Sequence, residues 1–408
     1  MSLKIKQLGF LLLTLTLNIP YVFAQNGAVV SMGAGYTNNV YYSLQDGFVA
    51  EVANTSWDVA FTTDLFDASI QINASAGIEV FIASNDLADW SSVDTAGIFN
   101  SALYNSTSDW ALGAFNQGGS GAFNYGWGTY NTTTHNVTGS RIFVLRYPDG
   151  TYKKFAIEQM AASGTYSFKY ANLDGTDEQQ ATISKTMYSS KAFVGYHFAT
   201  NEVVDFEPAK GTWDLLFTKY FAEVGPSVYY PVTGVLTAPG IATAVRTGVP
   251  VASDSYDGLV FEDSLGAIGY NWKSFNMTTF TYDIQDSLVY FVRGEDFKIQ
   301  KVYFTGFEGS STGNIDLNIG SVLNLSNIEW GNAQYQIFPN PAQDRLWVKS
   351  ELDAELSILN SAGQVVLHEG RVFGNAALDI SQLPAGIYTV RLGNAQSGRV
   401  HYESLIVQ

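Results

Sequence analysis

The 408-residue chain contains no cysteine, so disulfides cannot hold it together and its cores must do so. Histidine is also scarce. There are four, His135, His197, His368 and His401, with no two at metal-ligand spacing and no HExxH or CxxC. Basic residues are few, 21 Lys and Arg against 38 Asp and Glu, for a net charge of −17. With no basic stripe to replace phosphate counterions, nucleic acid is excluded as a partner. No stretch is long and apolar enough to span a bilayer in the mature chain. There is no G-x-S-x-G elbow, and the histidines are too few for an obvious triad. The expectation is therefore a protein that is not an enzyme.

What is abundant points to strands. Aromatic residues make up 14% of the chain, with 24 Tyr, 26 Phe and 38 Gly, and no long segment keeps a 3.6-residue period. The fold class expected is all-β. Residues 1–24 read as a signal peptide: Lys4 and Lys6 precede the apolar run Leu8–Leu17, and Val22 and Ala24 form a small-residue cleavage site.

One long stretch occurs twice. Tyr125, Trp127, Tyr130, Asn131, Arg146, Asp149 and Lys154 match Tyr270, Trp272, Phe275, Asn276, Arg293, Asp296 and Lys301 at nearly constant offset. Upstream, Trp57-Asp58-Val59-Ala60-Phe61-Thr62 matches Trp213-Asp214-Leu215-Leu216-Phe217-Thr218. A period of this size is that of a domain, so tandem duplication is expected, with one copy over 26–183 and another over 191–325. Alternation puts Trp57, Val59 and Phe61 on one core face, and Asp58 and Asp214 start the other, placed to hold a neighbouring turn. The Asn-, Ser- and Gly-rich stretch 84–121 reads as loops, and 171–190 as a polar connector in which Asp174, Asp177 and Glu178 make a solvated turn. Residues 335–408 form a third unit of short strands separated by turn signals, a small sandwich pattern.

That third unit carries Phe338-Pro339-Asn340-Pro341-Ala342, then SAGQVV at 361–366 and LPAGIYTV at 383–390, which includes Gly386, Ile387 and Tyr388. It resembles the type A sorting domain of the type IX secretion system of Bacteroidota. The resemblance implies an immunoglobulin-like β-sandwich, the type IX machinery as partner, and a product secreted or attached to the outer-membrane surface.

The two repeats, through YYSLQDG, WDVAF and RIFVLRYPDGTYKKFAI and their counterparts, resemble the HmuY family of secreted haem-binding β-proteins. The resemblance implies a ligand such as haem or another flat apolar molecule, with an iron ligand shortly after the repeated tryptophan. That place holds Thr132 in the first repeat and Met277 in the second, so the family's paired histidines are not carried over. Met277 is the candidate axial ligand, Trp272 and Phe275 the candidate walls, and Trp127 and Tyr130 their counterparts. The alternative is a structural or adhesive surface protein with no small-molecule ligand.

Overall fold

A computed structural model describes residues 26–121, 123–256, 258–294, 298–321, 335–360, 364–394 and 400–408. The signal-peptide reading and most of the linker expected before the third unit lie outside the described residues. No α-helix occurs among the described residues, only strands joined by turns and short 3-10 segments.

The chain opens with β1 (Asn26–Ser31), β2 (Asn38–Ser43) and β3 (Gly47–Ala53). Next come β4 (Val59–Thr62), β5 (Ile70–Ile72), β6 (Glu79–Ser84) and β7 (Ala102–Leu103). A small hairpin, β8 (Gly128–Tyr130) and β9 (Val137–Gly139), leads into the meander β10 (Ile142–Arg146), β11 (Tyr152–Met160), β12 (Thr165–Asn172) and β13 (Gln179–Ser184). Then follow β14 (Phe193–His197), β15 (Glu202–Val204), β16 (Leu215–Gly225), β17 (Val228–Thr237) and β18 (Ala242–Thr247). A second hairpin, β19 (Lys273–Asn276) and β20 (Thr281–Ile284), precedes β21 (Leu288–Arg293), β22 (Ile299–Phe307) and β23 (Asn314–Ser321).

These strands make two sandwiches with one strand order. In the first, a sheet ordered β13-β12-β11-β10-β6-β7 faces a sheet ordered β15-β14-β4-β5. In the second, β1-β23-β22-β21-β18 faces β3-β2-β16-β17. Position for position, β13 corresponds to β1, β12 to β23, β11 to β22, β10 to β21, β6 to β18, and β14 with β4 to β2 with β16. The sheets do not divide at the boundary expected between residues 183 and 191. β1 to β3 pair with strands of the later half, Asn26 opposite Ile319 and Tyr42 opposite Leu215. β14 turns back to β4, with Tyr196 opposite Val59. Local sequence matching could not show this, because a strand's partner is set by long-range pairing and not by its own residues. For the same reason the expected connector 171–190 contains an edge strand, β13, paired with β12.

Alternation decides the packing. In β12, Tyr166, Phe168 and Tyr170 are all fully buried and line the first core with Phe61, Phe155 and Trp127. β10 and β21 are apolar on both faces because loops cover their outer sides: Phe81, Ile98 and Val144 form a satellite core on one sheet, and Ala244, Val289 and Phe291 on the other. A buried lysine secures each loop. Lys154 donates to Trp90 O at 2.8 Å, and the corresponding Lys301 donates to Ser253 O at 3.4 Å and pairs with Asp254. The acidic turn reads as expected: Asp174 accepts from Thr176, Asp177 pairs with Lys153, and Glu178 accepts from Trp90 Nε1.

The two smaller sheets face each other. Trp57 departs from the expected face: Val59 and Phe61 enter the first core, whereas Trp57 joins Ala60 and Phe193 between the sandwiches and stacks on Phe206 at 4.7 Å. It precedes the strand, so strand alternation does not govern it. Trp213 packs edge-on to Tyr41 at 4.9 Å. A chain of buried side chains ties the sheets together: Thr218 Oγ1 donates to Asn39 Oδ1, Asn39 Nδ2 to Ser75 Oγ, and Ser75 Oγ to Asn73 Oδ1. Glu207, 5% exposed, accepts from the Ala192 and Phe193 amides. Burial pushes its carboxyl up from 4.5 to about 7, against the pull of those amides and of Lys191 and Lys210.

The third unit begins with β24 (Tyr335–Phe338), followed by β25 (Arg345–Leu359), β26 (Val365–Asp379), β27 (Gly386–Asn394) and β28 (Val400–Val407). Its order is β24-β25-β27-β28 with β26 on β25, around a separate core that includes Leu346, Leu356, Val390 and Leu405. Breaks in register at Ser350/Ala354 bend β25, so its first half pairs with β24 and its second with β27.

Two outcomes are expected from this architecture. Deleting residues 26–53 should strip amide-exchange protection from β21 to β23 while leaving β10 to β12 protected; uniform protection in both sheets would contradict the pairing. Because the folded state raises the Glu207 pKa, its stabilising contribution is complete below 4.5 and is lost as pH rises through about 7. Glu207→Gln stays neutral, so urea unfolding at pH 5 and pH 8 should show the wild type losing about 2.5 kcal/mol relative to the variant at the higher pH.

Candidate ligand cleft and sorting domain

The residues marked as ligand contacts do not gather around one space. Trp127 and Trp272 take equivalent core places, 0% and 1% exposed. Trp127 Nε1 donates to Ala68 O at 2.9 Å, and Trp272 stacks on Phe304 at 4.0 Å. Lys273 lies over the other side of the Trp272 ring at 4.1 Å, and burial lowers its ammonium to about 7. Met277 is 72% exposed in the turn between β19 and β20, with Phe275 and Phe280 beside it, also exposed. In the first hairpin Tyr130 bonds His135 Nδ1 through its hydroxyl at 2.7 Å, and Thr132 is exposed. A repeated tryptophan is therefore a core position, and the residue five places later is a hairpin tip. Among the described residues no group of His, Cys, Asp or Glu is placed to hold a metal ion.

A cleft of about 670 Å³ opens elsewhere, at one end of the second sandwich. β16 runs past its partner β2 and carries Tyr220, Ala222 and Glu223 to one wall. β18 and β21 supply Val245, Thr247, Leu288 and Tyr290. The loop Gly266–Asn271 makes the rim, brought close by two glycines. A Cβ on Gly234 would lie 2.5 Å from Gly269 O, and one on Gly266 2.4 Å from Thr107 O. Tyr290 donates to Ile268 O at 3.2 Å. Burial raises the phenols of Tyr220 and Tyr290, so both stay neutral donors.

The first sandwich closes the same place. Strand register puts Phe143 where the second has Tyr290, and Arg141 where it has Leu288. Phe115 packs edge-on to Phe143 at 4.9 Å. Arg141 donates to Asn85 Oδ1 at 3.1 Å, Gln117 O at 2.8 Å and Gly118 O at 3.0 Å, drawing loop 113–121 across the opening. A strap from the first half also borders the open cleft. In it Tyr104 stacks on Tyr229 at 4.0 Å, Trp110 Nε1 donates to Thr237 O at 2.9 Å, and Thr107 reaches the cleft wall. None of the cleft residues was marked as a ligand contact in the sequence, although Tyr270 belongs to the repeated stretch, since they come from five separated segments.

In the third unit the motif residues have structural tasks. Asn340 Nδ2 donates to Ser404 O at 2.6 Å and its Oδ1 accepts from Ile406 N at 2.9 Å, clamping the Phe338–Ala342 segment along β28. Pro339 and Pro341 flank that clamp. The Tyr388 hydroxyl donates to Pro384 O at 2.8 Å, closing the turn before β27. Phe338 and Ile387 are left exposed, 45% and 69%.

Residues 336–408 match the family of the secretion system C-terminal sorting domain. Such a tail implies delivery by the type IX system to the cell surface or the surroundings. Among solved structures the chain is similar to PorZ, described as an essential bacterial surface component of the type-IX secretion system of human oral-microbiomic Porphyromonas gingivalis, at 9% identity and a TM-score of 0.17. That similarity covers 68% of this chain and 44% of the other, too slight a likeness to bear on function. No curated protein matches the chain.

The placement of the two hairpin residues predicts opposite effects. Trp272→Ala should cost about 3–5 kcal/mol in urea unfolding, as a large buried ring leaves a cavity. Met277→Ala should stay within about 0.5 kcal/mol, as an exposed side chain in a turn.

Proposed function

We propose that this is an exported, non-enzymatic binding protein, carried to the surface or released by its sorting domain, that captures a small ligand in the cleft of its second sandwich. The observation that supports this most is the contrast between two sandwiches of the same strand order. One fills the site with Phe115 and Arg141, and the other leaves about 670 Å³ open. A volume in the range of about 300–1,000 Å³ suits a small molecule or a short oligomer. Haem is not the ligand favoured by this reading. Met277 stands exposed at a hairpin tip, away from the cleft, and Trp272 is part of the core. The HmuY resemblance fits a β-rich exported binder without fixing its ligand.

The test is a thermal-shift screen of the full chain against haem, organic anions, short polar peptides and neutral oligosaccharides, alongside Ala267→Trp, which places an indole in the cleft. At least one probe should stabilise the wild type and not the filled variant. If every probe acts equally on both proteins, or none acts at all, the cleft is not a binding site.

A further inference from the structure

Resting on the reading of the cleft as a binding site, we infer that its ligand is a neutral carbohydrate. Charge narrows the choice first. Glu223 is the one acidic side chain lining the cleft, and no Lys, Arg or His lines it. An anion would meet no cation there, on a chain that already carries a net charge of −17. Glu223 accepts from the Ser227 amide at 2.8 Å, and a lone carboxylate is a poor cation site.

Polar capacity narrows it further. Tyr220, Asn271, Gln285, Thr247 and Ser287 all line the cleft, and none of their side chains makes a hydrogen bond among the described residues. Covering them with a flat apolar molecule would leave donors and acceptors unpaired, at about 1–3 kcal/mol for each one buried. A ligand rich in hydroxyls can satisfy amides and hydroxyls in either sense, because each of its groups both donates and accepts.

Shape and ring chemistry agree. Tyr220, Tyr270 and Tyr290 all line the cleft, so three amphipathic rings border one space. A pyranose presents C–H faces to such rings and hydroxyls around its rim, the combination of apolar body and polar edge that tyrosine matches. The first sandwich lacks this chemistry, with Phe143 and Arg141 in the places of Tyr290 and Leu288. One carbohydrate site per chain is therefore expected.

The experiment titrates the full chain with tetrasaccharides of glucose, mannose, xylose and N-acetylglucosamine, read by saturation-transfer NMR and calorimetry. A short Gly-Ser peptide and haem serve as probes of other classes. Ala267→Trp, Tyr270→Ala and Gln285→Ala are compared with Phe66→Ala, a change at a side chain 96% exposed and outside the cleft. At least one tetrasaccharide should bind with a stoichiometry near one. Its affinity should fall by about tenfold or more in Tyr270→Ala and Gln285→Ala and stay unchanged in Phe66→Ala. The carbohydrate assignment is overturned if no tetrasaccharide binds, or if binding survives both cleft substitutions. If the peptide or haem binds instead and Ala267→Trp abolishes it, the assignment fails while the cleft stands as a site. If no probe responds to Ala267→Trp, both fail together.

Discussion

A carboxylate, buried at Asp58 and half-buried at Asp214, clips the distant strand into each sandwich. Asp58 accepts from the Phe198 amide and Asp214 from the Leu44 amide, both at 2.6 Å. Their own amides bond back, to Tyr196 O and Tyr42 O. In each case the aspartate opens the inner strand of the small sheet and holds the end of a partner from a remote part of the chain. Burial raises the Asp58 carboxyl despite the amide aimed at it, a measure of how far the clip is withdrawn from water. Without these clips the small sheets would lose their register, and the large sheets would lose the surface on which their cores close.

The two sandwiches show how one framework can be kept and its interior changed. Trp127 and Trp272, the buried lysines and the aspartate clips recur in equivalent places. At the open end they differ: arginine and phenylalanine against leucine and tyrosine, and a loop drawn across the opening against a rim that glycines let pack close to its neighbours. These are changes of side chain and loop path on unchanged strands. A binding site can thus arise in one copy while the other remains a packed support.

Much of the framework was legible in the sequence. The all-β class and the strand pattern of the sorting unit follow from alternation and turn residues, which are local signals. The sorting segment was legible for a related reason: Asn340 and Tyr388 act on the backbone within one compact unit. Partner choice was not legible. Nothing in Asn26–Ser31 says that its neighbour is Asn314–Ser321. Trp57 looked like a strand residue and instead fills the gap between sandwiches. The ligand residues read from the repeat proved to be a core indole and an exposed turn. The cleft is assembled from β16, β18, β21 and the loop Gly266–Asn271, whose proximity exists only after folding.

The pairing of Asn26 with Ile319 brings the start of β1 beside the end of β23. The described body is thus nearly a closed ring of chain, cut at one point by the exit to the sorting unit. Joining those two ends and opening the ring between Phe206 and Trp213 would give a circular permutant in which each sandwich is built from one uninterrupted segment. The present connectivity is one cut of that ring, and it places the cut within the second sandwich. The sandwich with the open cleft therefore completes itself only when β1 to β3 meet the strands from β16 to β23, whereas its companion needs no strand from outside its own stretch.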